Sequence, residues 1–269
     1  GGACRATRYA WLWCRIETPG RLPILAGAPG CFRVRQRCRN HAVSPTDRRI
    51  GFFWGLSAYV LWGLFPIYFR WVASVPSLEV LAHRIVWSVV VMAVLVGIRG
   101  RWRVVARVFG SWRDVGYVGL TSLLISTNWL VYIHAVATDR TLDASLGYFI
   151  NPLLTVALGV VFFGERLNAH RKWGLGLALA GVVYMIATMG TFSYISLVLP
   201  LTFGFYGMLK KRLALDSMSG LFVETLFVMP FALAYFIWAA GRADFAFLHG
   251  GLEIRFLLAG AGLITAIPL

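Results

Sequence analysis

Eight mostly apolar runs, most of them of membrane-crossing length, limit what this chain can fold into: 51–72, 78–98, 115–137, 142–163, 173–189, 193–209, 219–240, and a last one from about 255 to Leu269. A helix rises about 1.5 Å per residue, so about 20 residues cross the hydrocarbon core of a bilayer. Inside that core every backbone polar group must be satisfied within the protein, and helices do this segment by segment. The sequence therefore predicts an all-α polytopic membrane protein. Composition agrees, since 59% hydrophobic residues, 14% charged residues and 11 Trp are too apolar for a soluble domain of this length. The last run ends on "LITAIPL" with no polar flank, so the chain is expected to stop inside a membrane segment.

Residues 1–50 differ in kind. They hold all four cysteines (Cys4, Cys14, Cys31, Cys38), ten arginines, two acids and no lysine, and so supply eight of the fifteen net positive charges. The cysteine spacings match no zinc pattern, no secretory signal is visible, and a transit peptide would be richer in serine. No Met precedes Met92, which lies inside the second span. The expected start is a non-Met codon at Val43, with 1–42 either upstream DNA translated in frame or a basic cytoplasmic arm. With that segment set aside, the charge gives no support to a nucleic-acid partner.

The loops set the orientation. Arg99, Arg101, Arg103, Arg107 and Arg113 follow the second span, Arg166, Arg171 and Lys172 the fourth, and Lys210, Lys211 and Arg212 the sixth. The intervening loops carry Arg70 at an edge, Arg140 beside Asp139 and Asp143, and nothing basic around "MGTFSY". Basic and poor loops alternate strictly. The positive-inside rule then puts the N-terminus, with Arg48 and Arg49, and the basic loops in the cytoplasm.

An ungapped offset of 141 lays Trp62-Gly63 on Phe203-Gly204, Val80-Leu81 on Leu221-Phe222, and His83-Arg84 on Glu224-Thr225. The matches are weak by identity but suggest a five-helix unit, and an odd count inverts the second copy in the membrane. The expected organisation is a first repeat over 43–190 and an incomplete second over 191–269. "EVLAHRIVWS", "NWLVYIHAV", "LDASLGYFINPLLTVALGVVFFGERL" and "GFYGMLKKRLALDSMSGLFVET" make the chain, from about Arg49 to Leu269, similar to the RarD branch of the EamA family, in the drug/metabolite transporter superfamily. The resemblance implies a ten-helix inverted-repeat (5+5) fold with both termini cytoplasmic, about eight helices being present here. It also implies an inner-membrane permease for small molecules, in a branch whose name comes from an association with chloramphenicol sensitivity.

Polar residues inside the spans are the candidate pathway. Pro152 has no N–H, which frees the carbonyl of Tyr148, and a freed carbonyl must face protein or a water-filled cavity. Ser145, Tyr148, Pro152, Thr155 and Gly159 share one helical face with Asn151 adjoining it, and that face is expected to look inward. Spacing leaves open whether Tyr148 and Asn151 bind substrate or Asn151 bonds a neighbouring helix; the family resemblance favours the pathway. In the second span Glu79 and His83 stack four residues apart, with Arg84 next to them. A charge at mid-membrane costs about 3 kcal/mol on insertion scales, so these groups pair, line a path or, near a span end, snorkel to the interface. Asn128 is either a substrate contact or an interhelical bond, and His134 is interfacial. Glu224, at the repeat position of His83, is the candidate proton-coupled carboxylate, with pairing to Lys210 or Lys211 as the structural alternative. Tyr59, Trp62 and Phe65 are expected to add aromatic lining for an amphipathic solute. The small residues Gly174, Ala178 and Gly181 are expected to allow close helix approach, and Gly164 to end its helix with Glu165 bonding the next turn.

No Gly-rich phosphate loop, no His-Glu metal helix and no cysteine within a span is present, so neither an enzyme, a cofactor nor a metal is expected. A channel would repeat one filter by symmetry rather than spread single polar residues over four helices. The expected function is secondary transport of small metabolites or drugs by alternating access, with proton coupling open. A non-transporting sensor or scaffold is the alternative, as is an inactive truncated fragment. The expected partners are the substrate and the lipid bilayer, and a homodimer is left open.

Overall fold

The computed structural model describes residues 45–164, 167–189, 193–213, 215–242 and 245–267, with side chains from Ile50 onward except Phe163 and Met189. The expected start at Val43, the segment 1–42 with its cysteines, and Glu165 with Arg166 lie outside the described residues. All eight expected spans are helices: α1 (Pro45–Trp71), α2 (Ser77–Ile98), α4 (Trp112–Ala137), α5 (Thr141–Phe163), α6 (Ala169–Met189), α7 (Tyr194–Leu213), α8 (Ser217–Ala239) and α10 (Leu252–Ala266). Two short helices were not expected, α3 (Trp102–Phe109) in the loop after α2 and α9 (Ala246–His249) between α8 and α10. Among the described residues α1 from Ile50, α2, α4, α5 and α8 are long and apolar enough to cross a membrane. The chain is an all-α, multi-pass membrane protein.

Local chemistry sets the helix ends. The Ser111 hydroxyl accepts from Asp114 N–H at the start of α4, and the Asp216 carboxylate from Ser219 N–H at the start of α8, each satisfying a donor that the first turn leaves without an intrahelical partner. Gly164 ends α5 at φ 62°, a left-handed conformation that glycine adopts without a Cβ clash. Pro152 does not end α5, which runs unbroken through it to Phe163.

Two compact units divide the chain, 1–57 and 58–269, and only the opening turns of α1 are described in the first. In the second, α2 packs along α8 and α10, α4 along α7 and α8, and α5 along α7, while α6 rests on α5. The closest approach is at Gly262 of α10, where a Cβ would fall 2.3 Å from the carbonyl carbon of Trp87 and 2.6 Å from the backbone nitrogen of Ser88. Backbone atoms cannot swing aside as a side chain can. Gly262→Ala is therefore expected to cost about 1–3 kcal/mol by overpacking, read as a lower thermal midpoint in detergent; an unchanged midpoint would mean that α10 shifts freely on α2. The expected ladder of Gly174, Ala178 and Gly181 does not act this way. Gly174 and Gly181 meet nothing within 4 Å, because they lie on the exposed side of α6.

Polar links sort the loops into two ends. At one, Arg70 pairs with Asp139, and Arg140 Nη2 donates to Ser193 Oγ at 2.9 Å. At the other, Arg101 Nη2 meets Asp216 Oδ1 at 2.6 Å. The first set lies on the poor loops and the second on the basic ones, so the alternation seen in the sequence recurs in space. At Asp216 burial pushes the carboxyl up, but hydrogen bonds from Arg101 and Ser219 and the Arg101 charge outweigh it, so its pKa lies below the ordinary 3.8. A lowered folded-state pKa contributes stability that is present above the ordinary value and lost as pH falls through the lowered one. Asp216→Asn is expected to flatten the loss of thermal midpoint between pH 5 and 3; an acid limb identical to wild type would place that sensitivity elsewhere.

Candidate functional site

Helix α2 carries Glu79, His83 and Arg84, all at most 5% exposed. At about 100° per residue, Glu79 and His83 lie about 40° apart around the helix, while Glu79 and Arg84 lie about 140° apart. The first two therefore share a neighbourhood that Arg84 does not.

Glu79 does not snorkel. Its Oε1 accepts from Phe247 N–H at 2.8 Å and its Oε2 from Ala246 N–H at 3.1 Å, so the carboxylate clasps the free donors at the start of α9. The His83 ring lies among aromatic rings, with centroids 4.5 Å from Phe236, 4.6 Å from Phe247 and 6.5 Å from Phe245. Both of its nitrogens are buried with no hydrogen-bond partner among the described residues.

Arg84 points toward α1, α4 and α10. Its Nε donates to Thr265 Oγ1 at 2.8 Å, and its guanidinium lies 4.1 Å from the Trp129 ring centroid, 5.6 Å from Phe69 and 6.0 Å from Phe65. Desolvated cation–π contacts of this kind are worth about 2 kcal/mol, against the roughly 3 kcal/mol that inserting the charge costs. The hydroxyls of Tyr68, Tyr132 and Tyr148 lie within electrostatic reach of the guanidinium. Tyr132 and Tyr148 meet edge to face at 5.7 Å, which brings the opening of α5 to this cluster. Among the described residues no carboxylate pairs with Arg84.

The other candidates disperse. Asn128 Nδ2 donates to Leu199 O at 2.9 Å and Thr202 Oγ1 at 3.0 Å, the interhelical bond that spacing had left open. Asn151 keeps a buried Oδ1 without a partner among the described residues, and Pro152 and Thr155 are exposed. The inward face expected for α5 is thus only partly realised: Gly147 and Leu154 pack on α7, while Tyr148 reaches Tyr132. His134 is exposed, as an interfacial residue would be. Glu224 is 2% exposed, pairs through Oε2 with Lys210 Nζ at 3.1 Å and accepts from Tyr206 OH at 3.1 Å. Lys210 also bonds the Tyr206 hydroxyl.

Tyr59 and Trp62 do not line this cluster. They are 72% and 46% exposed and meet each other edge to face at 5.6 Å; only Phe65 of the three reaches Arg84. The residues that complete the site and escaped the sequence reading are Tyr68, Phe69, Trp129 and Thr265. Tyr68 lies three positions after Phe65, on the same helical face, which was an available signal. Nothing in the sequence marks Thr265.

The EamA-like transporter family profile matches residues 49–187. The chain is 41% identical over 223 residues to an uncharacterized transporter of Vibrio cholerae serotype O1, covering 83% of this chain and 74% of that protein. It is 35% identical over 221 residues to protein RarD of Escherichia coli (strain K12), covering 82% of this chain and 75% of the relative. The same identity over 221 residues relates it to the chloramphenicol-sensitive protein RarD of Pseudomonas aeruginosa, covering 81% and 73%. No solved structure matches the chain. With its all-α membrane architecture, the profile match over more than half of the chain and these similarities, each covering more than two thirds of both proteins, agree: the chain belongs to the EamA-like transporter family.

Proposed function

We propose that this chain is a secondary transporter of small metabolites or drugs in the bacterial inner membrane, working by alternating access between inverted repeats, with its N-terminus cytoplasmic and no chemistry done on the solute. The observation that carries this reading is the pairing of α2 with α8. The 141-residue offset puts these helices in correspondence, they pack on each other, and each buries a titratable group at the same repeat position, His83 and Glu224. Equivalent helices that touch lie beside the axis relating their repeats, where transporters of this kind place their sites. Glu224, tied to Lys210 and Tyr206 of α7, is the carboxylate proposed for proton coupling.

Flux through the chain reconstituted in liposomes tests this, with radiolabelled chloramphenicol and a mixture of bacterial metabolites read by mass spectrometry. Solute movement that follows an imposed pH gradient, collapses with a protonophore and falls on Glu224→Gln is the expected result. Movement indifferent to both removes the coupling. No movement of any solute favours a sensor or scaffold.

A further inference from the structure

We infer that Arg84 is the anion-binding end of a site for a small amphipathic organic anion, whose apolar part lies in the adjoining cavity between α1 and α10. An isolated cation buried in a membrane protein is held by partners or lines a path. Here Thr265 and the ring faces of Trp129, Phe69 and Phe65 hold Arg84 through Nε and the guanidinium face. Those contacts fix the plane of the group and leave its two terminal amino groups with no carboxylate among the described residues. That fork matches two oxygens of a carboxylate or phosphate, and the weak hydration of a guanidinium favours such pairing away from water.

The neighbouring space suits the rest of such a molecule. A cavity of about 190 Å³ is lined by Leu61, Leu64, Phe65, Tyr68, Ile264 and Ile267. Phe65 is both its wall and a neighbour of the guanidinium, so charge and apolar space adjoin. A ligand with an apolar ring and one acidic group fits this arrangement; a neutral solute leaves Arg84 unpaired. The proposal depends on the transport reading for what becomes of the ligand, not for its binding.

Equilibrium binding of radiolabelled 2-naphthoate to the chain in phosphatidylcholine nanodiscs, competed with unlabelled 2-naphthoate or its neutral isostere 2-naphthamide, tests it. The acid is expected to bind about tenfold more tightly than the amide or better, and Arg84→Gln to lose that preference. Arg84→Lys, which keeps the charge without the fork, is expected to bind naphthoate several-fold more weakly while still preferring it over the amide; it decides the matter if the glutamine variant does not fold. Acid and amide binding equally to wild type, or a folded Arg84→Gln that keeps the preference, overturns the proposal. Phosphatidylglycerol added to the disc separates two sources of the same chemistry. Displacement of naphthoate indicates an anionic lipid, its absence a soluble acid, and both keep the anion site. Acid-selective binding without flux would retire the transport reading alone, and flux of neutral solutes without acid preference would retire this inference alone.

Discussion

Lys210→Met is expected to destabilise the folded chain by about 3–5 kcal/mol, the cost of leaving a buried charge without its partner. Glu224 is 2% exposed, its Oε1 has no partner among the described residues, and its Oε2 depends on Lys210 and Tyr206. Without the ammonium the carboxylate retains one neutral hydrogen bond in a place that water does not reach. Glu224→Gln is expected to cost less, because the Lys210 side chain remains 23% exposed and its long stem can carry the charge to the interface. The double variant Lys210→Met/Glu224→Gln should recover most of the loss, a coupling of the sign that double-mutant cycles detect between contacting residues. Thermal midpoints of the four proteins in one detergent measure it. Losses that simply add would show that the two side chains do not act as a pair.

Glu79→Ala is the second large effect, expected to cost about 3 kcal/mol, since each hydrogen bond to a charged group contributes about 1.5–3 kcal/mol and a buried donor left alone is penalised further. The two bonds join α2 to the backbone of Ala246 and Phe247, in the segment between α8 and α10. Their loss should free α9 first. Hydrogen exchange at the Ala246 and Phe247 amides is expected to quicken well before the middle of α2 or α8 is affected, and Phe247 to leave the ring of His83. Glu79→Gln, with one acceptor oxygen in place of two, should fall between. Unchanged exchange at both amides in the alanine variant would show that α9 is held by other contacts.

These outcomes depend on pairings that differ in how far they could be read in advance. Pairing with Lys210 or Lys211 was open to Glu224 from sequence, because a carboxylate about two helix turns into α8 lies near the cations that end α7, and the structure pairs it with Lys210. Gly164 was legible as a helix end from its residue type alone. The clasp on α9 was not, since the partner is a backbone 167 residues away and carries no side-chain signature. Helical spacing correctly grouped Glu79 with His83, yet it could not say that Arg84, next in line, would turn to a different set of helices. The aromatic lining shows the same limit. Tyr59, Trp62 and Phe65 are equally aromatic, and which of them meets the bundle depends on how α1 is rotated against it.

The apolar spans, the alternation of their loops and the end of α5 at Gly164 could be read from sequence. Each follows from a local quantity: the length of an apolar run against the thickness of a bilayer, the count of cations in a loop, or a glycine free of Cβ clash at a left-handed position. Tertiary structure alone decided which buried polar group meets which. Arg84 finds Thr265 across 181 residues of chain, and Gly262 lets α10 approach the backbone of α2 closely. Such contacts are set by the rotation and spacing of whole helices, and those follow from packing summed over all the neighbours rather than from any one stretch of sequence.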